Sequence, residues 1–109
     1  KNFNFTGGFG PWLVTADEIP DPQVLDLSTR LNGNVMQQGN TRDMVFSVAE
    51  LIEYCSTWTT LEPGDVIVTG TPGGVGFKRN PPVFMKVGDV VEIVVEKVGT
   101  LVHDIERAP

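Results

Sequence analysis

Asn32-Gly33 sits between two runs with a two-residue apolar period, and no other pair in the chain constrains the fold as much. Leu27, Thr29 and Leu31 share one face against Ser28 and Arg30 on the other, and Val35 and Met36 resume the pattern beyond the pair. Asn and Gly both tolerate positive φ, so a two-residue loop made of them forms a type I′ turn whose twist matches antiparallel strands. Residues 25–36 therefore predict a β-hairpin.

Over residues 47–57 the period changes to that of a helix. Val48, Leu51, Ile52 and Cys55 fall at i, i+3, i+4 and i+7, with Glu50, Glu53 and Ser56 around the polar side. Ser47 followed three residues later by Glu50 is a capping box. Cys55 lies on the apolar stripe, without the basic neighbour and solvent access that a nucleophilic thiolate needs, and reads as a core residue.

The remaining apolar runs read as strands. Residues 12–15 form a short one. Residues 65–69 follow the turn Leu61-Glu62-Pro63-Gly64 with a nearly continuous apolar run, the pattern of a central strand. Gly88-Asp89 repeats the Gly64-Asp65 start ahead of a strand over 90–96, and a turn over 97–100 leads to a last strand over 101–106. Trp12 and Trp58 are expected in the core. Glu92 and Glu96 share one strand face as a solvated edge. His103 shares a face with Leu101 and Ile105, a packed or edge position rather than that of a catalytic base. The result is a mainly β, α+β architecture with two antiparallel hairpins and one amphipathic helix. At 109 residues the chain can hold one domain and one core, burying roughly two-thirds of its unfolded surface.

Charge and cysteine content exclude several function classes. With 14 acidic against 8 basic residues the formal charge is -6, which repels nucleic-acid phosphates and anionic membrane surfaces. No apolar run approaches the ~20 residues that span a bilayer. Cys55 has no partner for an intrachain disulfide, and a reducing cytoplasm fits best. The start, Lys1-Asn2-Phe3-Asn4-Phe5, lacks an initiator methionine and enters directly on alternating aromatics, as expected of a piece of a longer protein, while processing of a short leader would produce the same end.

Chemistry concentrates in Thr69-Gly70-Thr71-Pro72-Gly73-Gly74-Val75-Gly76. Such glycine density lets backbone N–H groups approach a ligand, and Thr71 adds a hydroxyl, so the stretch is either an anion cradle or a wide turn at a sheet edge. It fails both phosphate motifs. No Lys-Ser or Lys-Thr follows the final glycine, and Gly74-Val75-Gly76 runs into Phe77-Lys78-Arg79 rather than a third glycine opening a helix. A small carboxylate or an enolate oxygen stays compatible. The single histidine offers no triad, and no Glu-x-Glu or His-rich grouping suggests a metal site in this chain. Read on residue type alone, Lys1 is a solvated terminal lysine. A non-catalytic β-rich module presenting Trp12 and Trp58 to a sugar or peptide is the alternative.

The order of motifs adds a resemblance covering essentially the whole chain. Lys1-Asn2-Phe3, Gly10-Pro11-Trp12-Leu13-Val14-Thr15, Asn32-Gly33 followed by Gln37 or Gln38, the run from Leu61 through Pro63-Gly64-Asp65 to Thr69-Gly70-Thr71-Pro72 and Gly76, and Gly88-Asp89-Val90 together resemble the fumarylacetoacetate hydrolase family. The resemblance implies a β-rich roll that usually pairs as a homodimer. Its implied substrates are 2-oxo or 2,4-diketo acids, or 2-hydroxy-dienedioates. The implied chemistry is C–C hydrolysis, decarboxylation or keto–enol isomerisation through an enolate stabilised by a divalent metal, magnesium first, manganese or calcium as alternatives. It matches Lys1 to the family's active-site lysine and Thr71 to the threonine that holds the substrate carboxylate, with Gly70 and Gly73 letting the loop backbone approach. The family's metal ligands, a Glu-x-Glu pair and an aspartate, precede the position of Lys1, as do the histidine and glutamate of its lid. Residues 1–109 are thus expected to be the C-terminal portion of a single catalytic domain, with the remainder of the same enzyme as partner. His103 stands where the family often has asparagine.

Overall fold

A computed structural model describes residues 6–107. Its centre is a four-stranded, wholly antiparallel sheet of β1 (Asp26–Leu31), β2 (Asn34–Asn40), β3 (Val90–Val95) and β4 (Gly99–Asp104), in the order β2-β1-β3-β4. The fold is mainly β with one helix, as the sequence predicts. Asn32 and Gly33, at φ 50° and 79°, join β1 to β2 in a two-residue turn with Leu31 opposite Asn34. The register then slips: Thr29 faces Gln37 while Arg30 faces Val35, leaving Met36 as the extra residue of a β-bulge.

Asn32 also ties the two hairpins together. Its side chain donates to Asp89 Oδ1 at 2.8 Å and accepts from the Val90 N–H at 2.8 Å, and its own N–H donates to the Val90 carbonyl at 2.9 Å. At the other end of the strands, the Asp26 N–H donates to Glu96 Oε2 and Asn40 donates to Asp26 Oδ1. Hydrogen bonds from the Asn32 amide and then the Lys86 N–H hold the Asp89 carboxyl below the usual carboxylate range.

The repeated Gly-Asp motif is one turn used twice. The Asp65 N–H donates to the Glu62 carbonyl at 3.0 Å while the Glu62 N–H donates to Asp65 Oδ2 at 2.8 Å; Asp89 and Lys86 make the same pair at 3.0 and 2.8 Å. Gly64 and Gly88 take φ 103° and 90°, the positive φ that the third position of a type II turn requires.

Helix α1 (Val48–Ser56) starts where the capping box places it. The Glu50 N–H donates to Ser47 Oγ at 3.2 Å, and the Ser47 N–H donates to Glu50 Oε2 at 2.7 Å. That backbone bond is the main reason the Glu50 carboxyl lies below its ordinary range. Gln23 satisfies the first helical N–H by accepting from Val48 at 2.6 Å, while its amide donates to the Thr41 carbonyl. A local cap and one remote side chain together fix the helix start.

Several expectations are corrected. Residues 12–15 and 65–69 are not strands, because neither pairs with another strand among the described residues, and Val68 is 86% exposed. β3 ends at Val95 and β4 begins at Gly99, two residues earlier than the pattern predicts, because Lys97 takes φ 61° in a three-residue loop. Glu92 lies half-buried in an interior strand, opposite Arg30, rather than on a solvated edge. Cys55 is only half-buried, and Trp12 and Trp58 are 58% and 66% exposed.

The exposure of Trp12, Trp58, Cys55 and residues 65–69 has one cause. Among the described residues, Leu25 is the one buried hydrophobic side chain, at 5% exposure. The surface of 8809 Å² compares with about 6,000 Å² for a compact chain of this mass. The radius of gyration of 15.4 Å likewise exceeds the roughly 13 Å of a compact domain of this length. The sheet is formed, but among the described residues no helix or second sheet is layered across it.

Candidate functional site

The site is built on β2. Gln37 and Gly39 alternate onto one face of the strand, and the glycine-rich loop comes down on that face. Gln37 Nε2 donates to Thr71 Oγ1 and to the Pro72 carbonyl, both at 2.8 Å. At Gly39 a Cβ would lie 3.0 Å from Pro72 Cβ, so only a residue without one leaves the loop its ordinary clearance. Gly74, at φ 102°, rests on the carbonyl of Met36, where any Cβ would collide with that oxygen.

The β-bulge makes this docking possible. Met36 is the unmatched residue of β2, and its carbonyl accepts from Arg79 Nη2. Arg79 Nε donates to the Gly74 carbonyl at 3.1 Å, so one guanidinium staples both ends of the contact.

Between the loop, the end of β2 and the approach to α1 lies a cavity of about 470 Å³, within the usual range for small-molecule sites. Gly70, Thr71 and Gly73 form one wall, Gly39 and Asn40 the floor, and Met44, Val45 and Phe46 an apolar side. Thr41 anchors that side by donating to the Pro22 carbonyl at 2.6 Å and accepting from the Leu25 N–H at 2.9 Å. Among the described residues, the N–H groups of Gly70, Thr71 and Gly73 have no hydrogen-bond acceptor. Asp43 is the one charged residue in the lining. The wall can therefore bind an oxyanion through neutral donors, while Asp43 disfavours anionic charge on its own side.

Thr71, Gly70 and Gly73 thus line the same cavity. Lys1 lies outside the described residues. His103 sits on β4, at the opposite sheet edge from the loop, and its Nε2 is buried with no hydrogen-bond partner among the described residues. No group of three or more His, Cys, Asp or Glu among the described residues could hold a metal ion. Also among them, no helix is long and apolar enough to cross a membrane. Sequence reasoning misses Arg79, Gly39 and the contact between Gln37 and Thr71. The available signal was a polar amide two residues before a glycine on one strand face.

Comparison with known proteins agrees over nearly the whole chain. The profile of the fumarylacetoacetate (FAA) hydrolase C-terminal region matches residues 1–106. A protein of Burkholderia cenocepacia, provisionally named a hydrolase, is 56% identical over 100 residues, covering 91% of this chain and 36% of its own length. Among solved structures, a fumarylacetoacetate hydrolase from Exiguobacterium antarcticum superposes with a TM-score of 0.88 at 41% identity, over 92% of this chain and 36% of that one. Maleylpyruvate hydrolase from Sphingobium sp. SYK-6, in complex with manganese(II) and pyruvate, gives 0.77 at 43% identity, over 87% and 33%. A 5-carboxymethyl-2-hydroxymuconate delta-isomerase from Mycobacterium smegmatis gives 0.78 at 42% identity, over 92% and 36%. The chain spans about a third of the length of each of these relatives.

Proposed function

The chain belongs to the fumarylacetoacetate hydrolase family, and on that premise we propose that the full-length protein acts on a 2-oxo or 2,4-diketo acid, or a 2-hydroxy-dienedioate. The solved relatives include both a hydrolase and an isomerase of such acids, which supports the substrate class and leaves hydrolysis, decarboxylation and keto–enol isomerisation as the candidate reactions. The observation that carries the reading is the Thr71 wall, a hydroxyl and unpartnered N–H groups facing a cavity of substrate size. In this proposal Thr71, with the backbone of Gly70 and Gly73, binds the carboxylate. Lys1 supplies a positive charge or a proton near the developing oxyanion.

Manganese belongs to the Sphingobium complex. The described residues here form no metal-ligand cluster. Ligands for a divalent metal are therefore assigned to the remainder of the protein, and this chain's share of the chemistry is to bind and orient the acid. The same remainder, or the second subunit of a homodimer, is proposed to cover the exposed apolar face. A sugar- or peptide-binding module has less support. Trp12 Nε1 donates to the Val98 carbonyl at 2.6 Å and its ring lies against Gly99, which makes it a clasp on the β3–β4 turn rather than a free platform.

Kinetics of the full-length protein test this reading. Thr71→Val should raise KM for a 2-oxo acid by about tenfold with a smaller change in kcat, and Lys1→Ala should lower kcat while metal binding persists. Unchanged kinetics in both variants would remove the site assignment.

A further inference from the structure

Gln37 does not itself line the cavity, yet its side-chain amide makes two hydrogen bonds to residues that do, Thr71 and Pro72. We infer that Gln37 is a positioning residue that turns the Thr71 hydroxyl into an obligate donor, making this wall of the cavity selective for an ionised carboxylate over the corresponding carboxamide. The inference rests on the reading of Thr71 as the carboxylate contact.

The argument runs through the Pro72 carbonyl. That oxygen can only accept, so the Gln37 group 2.8 Å from it must be the NH₂ and not the side-chain carbonyl. The NH₂ has two hydrogens, and its other contact, also at 2.8 Å, is Thr71 Oγ1. Thr71 Oγ1 is therefore an acceptor on the Gln37 side. A hydroxyl carries one hydrogen and two lone pairs. With a lone pair engaged by Gln37, and with no acceptor for the hydrogen among the described residues, Thr71 is left to donate toward the cavity. The neighbouring N–H groups of Gly70, Thr71 and Gly73 are also donors. These clustered donors match a carboxylate, which accepts through both oxygens. A carboxamide would bring its own NH₂ against a donor and leave one of the two unpaired.

The test uses the full-length protein and a matched pair of probes, pyruvate and pyruvamide, whose binding is followed by NMR titration. Wild-type protein should prefer pyruvate. Gln37→Glu replaces the donating amide with an acceptor that draws the Thr71 hydrogen away from the cavity. Its pyruvate affinity should fall by about tenfold, with pyruvamide affected far less. Lowering the pH to protonate the introduced carboxyl should recover part of the loss relative to wild type at the same pH. Gln37→Met, which keeps the length and removes the polarity, should lose about threefold for pyruvate and stands as the second variant if the charged one does not fold. A purely structural role would weaken both probes equally and show no recovery in acid, and that result overturns the inference. If Thr71→Val weakens pyruvate binding but both Gln37 variants keep the wild-type preference, the Gln37 inference fails while the Thr71 reading stands. If Thr71→Val leaves pyruvate binding unchanged, the Thr71 reading fails and this inference falls with it.

Discussion

Residues 26–40 and 90–104 close on one another, with β1 and β3 flanked by strands on both sides and Asn32 and Asp26 tying the two ends. Residues 57–88 carry the cavity loop, contain no strand, and meet β2 through Gln37, Arg79 and two glycine contacts. The difference shows what a sheet supplies that an apolar run alone does not. Val66, Ile67 and Val68 are as β-prone as Val90 and Val91, but a strand also needs backbone partners. The glycine-rich loop that lines the cavity thus sits on the less supported region.

Substitutions can break this contrast or sharpen it. The largest effect is expected from Gly74→Ala, which places a Cβ against the Met36 carbonyl at a strained φ and should cost about 3 kcal/mol of local stability. Hydrogen exchange on the full-length protein should show protection lost across residues 69–79 and kept across 26–40 and 90–104; loss in both would mean the two regions are one cooperative unit. Asn32→Ala comes next, at about 2 kcal/mol, because alanine resists the left-handed turn and removes the bridge to Val90 and Asp89. Chemical denaturation reads it.

The same variant has a pH signature. The Asp89 carboxyl is depressed in the folded state, so its contribution is present above the ordinary carboxylate value and lost as pH falls through the folded one. Asn32→Ala removes the main cause of that depression. Melting curves across the acid range should therefore fall less steeply for the variant than for wild type. The smallest effect is expected from Ser47→Ala, about 1 kcal/mol from the lost cap, confined to α1 and read by exchange at the first helical amides.

Features encoded within a few residues were legible in the sequence. The Asn32-Gly33 turn, the Ser47 and Glu50 cap and the two Gly-Asp turns each carry their cause in adjacent side chains, and the structure forms all of them. Glycine density drew attention to the loop of Gly70, Thr71 and Gly73, and the structure places these residues along one cavity wall. What stayed hidden is non-local. Nothing near Arg79 indicates that it reaches the carbonyl of Met36, since that depends on a bulge in another strand. Residues 65–69 mislead for a related reason: their pattern records burial, and no covering element lies among the described residues.

Asn32 gives the molecule a chemical clock. In an asparagine followed by glycine the glycine nitrogen can close on the side-chain carbonyl and expel ammonia, leaving a succinimide that water opens, and here the departing nitrogen is the donor to Asp89. Opening to aspartate would exchange this hydrogen bond for two facing carboxylates, and opening to isoaspartate would add a backbone atom to the turn, so ageing at one position would loosen the join between the hairpins.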